Sequence, residues 1–112
     1  MSQVQRIGMV IKVKPEKLEL YKKMHADDYK GVRDLLSEYH MRNFSIFLHP
    51  LEDGQLYLFG TYEYAGEDYE ADMAKLAVEP RNKEWLSVTD DCQIPLKGTT
   101  GWAIMEQVYY NE

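Results

Sequence analysis

The sequence predicts an α+β protein in which an antiparallel sheet of four strands carries its helices on one face. Three observations support this fold class. Side chains alternate between apolar and polar, or form short apolar runs, at residues 4–13, 42–49, 55–64 and 102–110, which is typical of strands. Apolar residues three or four positions apart within 15–39 and 67–88 indicate helices. The 112 residues suffice for one domain, 1–112, around one core.

The first strand and the first helix follow from their patterns. The strand has one apolar face, formed by Ile7, Met9, Ile11 and Val13. Pro15 stands where a first helical turn accepts proline. The helix then places Leu18, Tyr21, Met24/His25 on one side and, further on, Val32, Leu35, Leu36 and Tyr39. An interruption is expected at about residues 26–31, because Asp27-Asp28 competes for backbone hydrogen bonds and Gly31 weakens a helix.

The second half repeats the alternation of strand and helix. The turn Asp53-Gly54 joins the strands 42–49 and 55–64. A helix introduced by Glu67-Asp68 ends at Pro80, because the residue before a proline is pushed out of the helical region. A shorter helix is predicted at 81–88, a loop at 90–101 and a last strand at 102–110.

The order β-α-β-β-α-β is typical of a ferredoxin-like sandwich of the dimeric α/β-barrel type. Both helices would cover one face of the sheet. The opposite face has aromatic character from Phe47, Tyr57, Phe59 and Tyr109. We therefore expect a second copy of the chain to cover it, together with a ligand pocket beneath the loops.

Composition excludes several classes of function. A net charge of −6 disfavours nucleic acid as a partner. The sequence has no apolar run of roughly 20 residues, so a membrane span is not expected. Residues 1–6 contain no signal-peptide core, and Cys92 is the single cysteine, which fits a cytoplasmic location. No phosphate-binding loop, dinucleotide fingerprint or metal-ligand spacing is present, so no cofactor or metal is expected.

Tyr21 and His25 form the candidate active centre. Residues four apart on a helix lie one above the other on the same face, so the phenol and the imidazole could act on one small molecule. Imidazole exchanges a proton near neutral pH without a shift of its pKa. Taken alone, this pattern is more often that of a half-exposed helix histidine than of a catalytic one. His40, at a helix end, is interpreted as structural, and His49, beside Pro50, as a turn residue.

Several segments resemble, in order and spacing, the L-rhamnose mutarotases, small dimeric ferredoxin-like enzymes that interconvert the α and β anomers of a free sugar. The first is Glu19-Leu20-Tyr21-Lys22-Lys23-Met24-His25, which is similar to the family pattern E-x-Y-x-x-x-H. The others are Asn43-Phe44-Ser45-Ile46-Phe47-Leu48, Asp72-Met73-Ala74-Lys75, Glu84-Trp85-Leu86-Ser87-Val88-Thr89-Asp90 and Met105-Glu106-Gln107-Val108-Tyr109. The similarity covers nearly the whole chain.

The resemblance implies a role for each matching position. His25 corresponds to the catalytic proton donor, and Tyr21, Phe44, Trp85 and Leu86 fall at substrate-binding positions. Phe44 replaces a tyrosine and loses its hydroxyl, while Leu86 replaces the second tryptophan of a pair. The family's I-W-P-E is replaced by Asp28-Tyr29-Lys30-Gly31. Because polar contacts set sugar selectivity, the type of reaction carries over better than the identity of the sugar.

The resulting hypothesis is a cytoplasmic homodimeric isomerase that acts on a monosaccharide such as L-rhamnose. Protonated His25 would deliver a proton to the ring oxygen, Tyr21 would bond a hydroxyl, and Trp85 would provide a flat apolar wall. Asp27, Asp28 or a water would accept the anomeric proton. Two alternatives stay open: a non-catalytic sugar-binding or structural dimer, and an oxygenase or haem-handling protein with the same fold.

Overall fold

The computed structural model describes residues 4–112, and the start of the chain at 1–3 lies outside the described residues. The strands are β1 (Gln5–Val13), β2 (Met41–Pro50), β3 (Leu56–Tyr64), β4 (Gln93–Ile94) and β5 (Ala103–Met105). The helices are α1 (Leu18–Met24), α2 (Arg33–Glu38), α3 (Tyr69–Ala77) and α4 (Pro80–Cys92). A 3₁₀ turn at Pro15–Lys17 leads into α1, as the proline suggested.

The described strands form one antiparallel sheet in the order β2-β3-β1-β4. β5 pairs with the same edge of β1 as β4 does, further along the strand: Met9 opposes Ile104, and Val13 opposes Gln93. The fourth position of the sheet is thus shared by two short strands. The order confirms the predicted α+β, ferredoxin-like architecture.

The core lies between the helices and one face of the sheet, in two clusters. One contains Met9, Val32, Leu35, Met41, Tyr62 and Leu76. The other contains Ile11, Val13, Tyr21, Leu58 and Cys92, and Trp102 packs against both. Cys92 is fully buried, as predicted for a small apolar side chain. The second cluster is the floor on which α1 lies.

The predicted helical break is present, because α1 ends at Met24 and α2 begins at Arg33. Gly31 has φ +54°, a left-handed backbone that glycine adopts without steric cost. Exposed Arg33 closes the break, since its Nη2 donates to the carbonyl oxygens of His25 and Ala26, each at 3.0 Å. These two hydrogen bonds therefore hold the backbone in place directly after His25.

Three boundaries near the C-terminus were predicted wrongly. α4 continues to Cys92 instead of ending near Val88, because its last turns bury Thr89 and Cys92, a stripe that hydrophobicity alone does not reveal. The predicted loop 90–101 therefore starts later and contains β4. The predicted strand 102–110 pairs over Ala103–Met105, and beyond it Tyr110 places its ring on the Arg6 guanidinium, 3.6 Å from the ring centroid.

Candidate functional site

A cavity of about 200 Å³ lies between α1 and the helix-facing side of the sheet. The side of the cavity formed by the sheet is apolar. The opposite side is formed by residues of α1 that lie three or four positions apart and so share one face of the helix. The lining residues are Leu18, Tyr21, Lys22, His25, Ile46, Leu48 and Leu58. Pockets for drug-sized ligands measure roughly 300–1,000 Å³, so this one suits a smaller molecule.

His25 owes its position to the way α1 ends. Its backbone N–H donates to the Lys22 carbonyl at 3.1 Å, three residues back, which tightens the last turn. The Tyr21 carbonyl is then available to the imidazole, and His25 Nδ1 lies 2.7 Å from it. A carbonyl oxygen only accepts, so Nδ1 carries a proton. In the neutral ring Nε2 is therefore the unprotonated nitrogen that can take a proton.

Burial lowers the pKa of His25 below its usual 6.5, and the positive charge of Arg33 lowers it further. The hydrogen bond to the Tyr21 carbonyl opposes this by favouring the charged ring, but burial has the larger effect. His25 is thus mainly neutral at pH 7 and can gain a proton from a bound ligand.

Tyr21 stacks its ring on the imidazole, and its hydroxyl is hydrogen-bonded to a buried side chain. The two rings stack at 4.2 Å between centroids, with 29° between their planes. The Tyr21 side chain is buried, and its hydroxyl accepts a hydrogen bond of 3.1 Å from Gln93 Nε2. Burial raises the pKa of Tyr21 to about 12. The phenol is therefore protonated throughout the range in which enzymes work.

Trp85, on α4, closes a second side of His25. Its indole meets the imidazole edge-on, with 5.1 Å between the ring centroids, and the exposed ring of Tyr29 lies 6.1 Å from the indole, again between centroids. A Cβ placed on Gly31 would lie 2.9 Å from Trp85 Cζ3, so the missing side chain leaves the space that the indole occupies. The break between α1 and α2 thus holds Trp85 as well as His25.

The structure does not bring Phe44 and Leu86 to the same place. Phe44 stacks on Tyr62 at 5.0 Å and packs, as Trp85 does, against the first core cluster. Leu86 is 38% exposed on α4, and Phe44, Trp85 and Leu86 are all outside the cavity lining, although Trp85 contacts His25. In the single chain, the sequence-predicted residues that meet around the imidazole are therefore Tyr21, His25 and Trp85.

The two aspartates considered as proton acceptors lie outside the cavity lining. Both are exposed, and the Asp27 carboxylate lies 3.7 Å from Arg33 Nη2. Sequence reasoning missed Lys22 and Gln93, both near Tyr21. Lys22 could have been found from its spacing to Leu18 and His25 on one helix face. Gln93 approaches from 72 positions away, which no local pattern reveals.

A larger cavity of about 490 Å³ lies elsewhere, against β1, β3 and the C-terminal residues. It is lined in part by Arg6, Asn43 and Glu63, and no histidine is among its lining residues. Glu63 pairs with Arg6 at 3.4 Å and accepts a hydrogen bond from Asn43 Nδ2 at 2.8 Å. Within residues 4–112 no group of three His, Cys, Asp or Glu side chains could hold a metal ion. The same residues contain no helix that is long and apolar enough to cross a membrane.

Comparison with known proteins gives a family and a fold. The family model for L-rhamnose mutarotase matches residues 6–111. The crystal structure of an L-rhamnose mutarotase from Formosa agariphila is similar, with a TM-score of 0.70 and 20% identity over 96% of this chain and 99% of that one. A search of curated protein sequences finds no match.

Two further solved structures share the fold at lower similarity. A NIPSNAP family protein from Agrobacterium tumefaciens has a TM-score of 0.64 and 13% identity, over 99% of this chain and 91% of that one. A candidate antibiotic biosynthesis monooxygenase from Nitrosomonas europaea has a TM-score of 0.51 and 15% identity, over 97% and 96%. At these identities the likeness concerns the fold alone.

Proposed function

The chain belongs to the L-rhamnose mutarotase family, a family of isomerases, and from that premise we propose that it interconverts the anomers of L-rhamnose or a related free hexose at the cavity beside α1. The observation that supports this site is a half-buried imidazole in the cavity wall, held by the Tyr21 carbonyl through Nδ1. Its other nitrogen, Nε2, is then the atom that can exchange a proton with a sugar.

His25 would act first as a base and then as an acid. From the sequence we expected the protonated ring as the starting form, but the lowered pKa favours the neutral ring at pH 7. Nε2 takes the proton of the anomeric hydroxyl, the C1–oxygen bond becomes a carbonyl, and the bond from C1 to the ring oxygen breaks. The imidazolium then gives the proton to the ring oxygen. Both oxygens are attached to C1, so one nitrogen can serve both.

Ring closure on the other face of the aldehyde reverses these transfers after rotation about the C1–C2 bond. The proton count balances without a cofactor. A positioned acid-base group contributes roughly 10²–10⁴-fold, which is a useful gain over a reaction that already proceeds in water. Tyr21 would donate a hydrogen bond to a sugar oxygen, and Trp85, packed against His25, would limit the mobility of the imidazole.

Exchange NMR on a panel of free sugars tests the activity. We expect the wild-type chain to accelerate exchange between the anomeric signals of L-rhamnose or of a related 6-deoxy or ordinary hexose. His25→Gln should abolish the acceleration, because an amide cannot shuttle a proton. His49→Gln is the matched control, since that histidine is exposed on β2 and is not among the cavity-lining residues.

Two outcomes would contradict the proposal. Sugar binding without faster exchange would select the non-catalytic sugar-binding dimer. Oxygen uptake or a haem absorption band, with no effect on any sugar, would select the chemistry of the oxygenase or haem-handling alternative.

We further propose that two copies of the chain pair through the sheet face opposite the helices. Phe47 is 63% exposed there, on the same face as the stacked rings of Tyr57 and Phe59. Sedimentation equilibrium should report a dimer that Phe47→Lys weakens. Val78→Lys should leave it intact, because Val78 is 66% exposed just after α3 and far from that face. A wild-type monomer would contradict the proposal.

A further inference from the structure

Gln93 is a buried amide outside the cavity whose side chain reaches the cavity wall. It is 7% exposed and opens β4, where it pairs with Val13 of β1. That pairing fixes its backbone, and its Nε2 donates to the Tyr21 hydroxyl at 3.1 Å. A buried amide costs free energy unless it is hydrogen-bonded, and the Tyr21 hydroxyl is the partner that satisfies this one.

The direction of this hydrogen bond determines what the Tyr21 hydroxyl can offer. A phenol has one proton to donate and lone pairs to accept with. The amide N–H occupies a lone pair, so the phenolic proton is not used in the bond to Gln93. Since the phenol keeps its proton over the working pH range, the hydroxyl retains one proton that it can donate, and Tyr21 is one of the residues that line the cavity.

We propose that Gln93 is a positioning residue that orients the Tyr21 hydroxyl as a hydrogen-bond donor, so that the cavity selects a sugar presenting an acceptor oxygen at that point. The inference rests on the proposed function, because it concerns the same cavity. It assigns to Gln93 no contact with the sugar and no part in proton transfer. Gln93 acts on the sugar indirectly, because it sets the direction in which the Tyr21 O–H bond points.

The substitution Gln93→Glu tests the direction. A carboxylate can only accept, so the Tyr21 O–H would donate its hydrogen bond to the introduced carboxylate in this variant and could no longer donate to the sugar. Gln93→Met is the second variant, because it has a similar length, carries no donor and introduces no buried charge. Asn82→Leu is the matched control: Asn82 is also a buried amide, but its Nδ2 donates to the Leu76 carbonyl at 3.1 Å.

The readout is the separation of KM from kcat in anomer exchange. The loss of one neutral hydrogen bond should raise KM about 2- to 12-fold in Gln93→Glu and in Tyr21→Phe. In both variants kcat should stay near the wild-type value, because the bond is made in the ground state and in the transition state alike. Gln93→Met should raise KM in the same direction, and Asn82→Leu should lower the melting temperature without changing KM.

The double variant Tyr21→Phe/Gln93→Met decides whether the two residues act as a unit. Without the hydroxyl Gln93 has nothing to orient, so KM should equal that of Tyr21→Phe alone. A wild-type KM in folded Gln93→Met, or an additive rise in the double variant, would overturn the inference.

The test also separates this inference from the proposed function. Wild-type exchange at the uncatalysed rate overturns the mutarotase proposal. If the sugar still binds, Kd from saturation-difference NMR replaces KM, and the same comparison of variants decides the role of Gln93. If the sugar neither binds nor exchanges, both proposals are overturned.

Discussion

Gly31→Ala should lower stability and anomer exchange together, because the side chain it adds would enter the space of Trp85. The backbone contribution is set by φ +54°, where an L residue costs about 1–2 kcal/mol relative to glycine. The new Cβ would also lie 2.9 Å from Trp85 Cζ3 and 3.2 Å from Cη2. Carbon atoms prefer about 3.5–4.0 Å, so the indole must move by roughly 0.5–1 Å.

That movement affects the contact between Trp85 and His25, whose ring centroids lie 5.1 Å apart. Displacing a packed ring in this way costs about 1–3 kcal/mol in addition to the backbone contribution. Gly54→Ala is the matched control: Gly54 has φ +78° in the β2–β3 turn, and a Cβ added there would meet nothing within 4 Å. It should show the backbone cost alone and keep the exchange rate.

Urea unfolding followed by far-UV circular dichroism measures the free energy of unfolding without relying on tryptophan signals. We expect Gly31→Ala to lose more stability than Gly54→Ala by the cost of moving the ring. In a Trp85→Ala background this excess should vanish, because the clash has no partner. Equal losses in the two alanine variants, or an unchanged exchange rate in Gly31→Ala, would refute the reasoning.

Two further predictions concern residues outside the cavity lining. Arg33→Met should raise the pKa of His25 toward 6.5, since it removes a positive charge that lowers it; a two-dimensional NMR titration of the imidazole measures this, and an unchanged pKa would contradict the assigned cause. Asp68→Ala should lower the free energy of unfolding by about 1 kcal/mol, because Asp68 caps α3 by accepting a hydrogen bond from the Ala71 N–H at 3.1 Å. Urea unfolding measures this loss, and the rate of anomer exchange should stay unchanged. A concurrent fall in that rate would mean that α3 contributes to the site.

Much of the fold could be predicted from local patterns, because its central elements are strongly periodic. The alternation in β1 matches its buried residues Met9, Ile11 and Val13, and the break between α1 and α2 follows from local chemistry near Gly31. The C-terminal part failed for a physical reason. The buried stripe of α4 includes Asn82 and Thr89, whose polar side chains look like solvated residues in the sequence.

One part of the candidate site, the pair of Tyr21 and His25, could also be predicted from a local pattern. Tyr21 and His25 are four apart on the first helix and its cap, so their stacking follows from helix geometry. The neutral state of His25 and the bond from Gln93 could not be predicted, since both depend on burial between α1 and distant strands. The lowered pKa also changes the mechanism expected from sequence, from an acid at the start to a base at the start.

The most direct measurement is the pH dependence of kcat/KM for anomer exchange, recorded beside an NMR titration of His25. A proton-accepting imidazole requires kcat/KM to fall as the pH drops through the pKa of His25, with the inflection below 6.5. The two inflections should coincide, and both should move upward together in Arg33→Met. A profile that is flat across the titration of His25, or that falls as the pH rises through its pKa, would contradict the account.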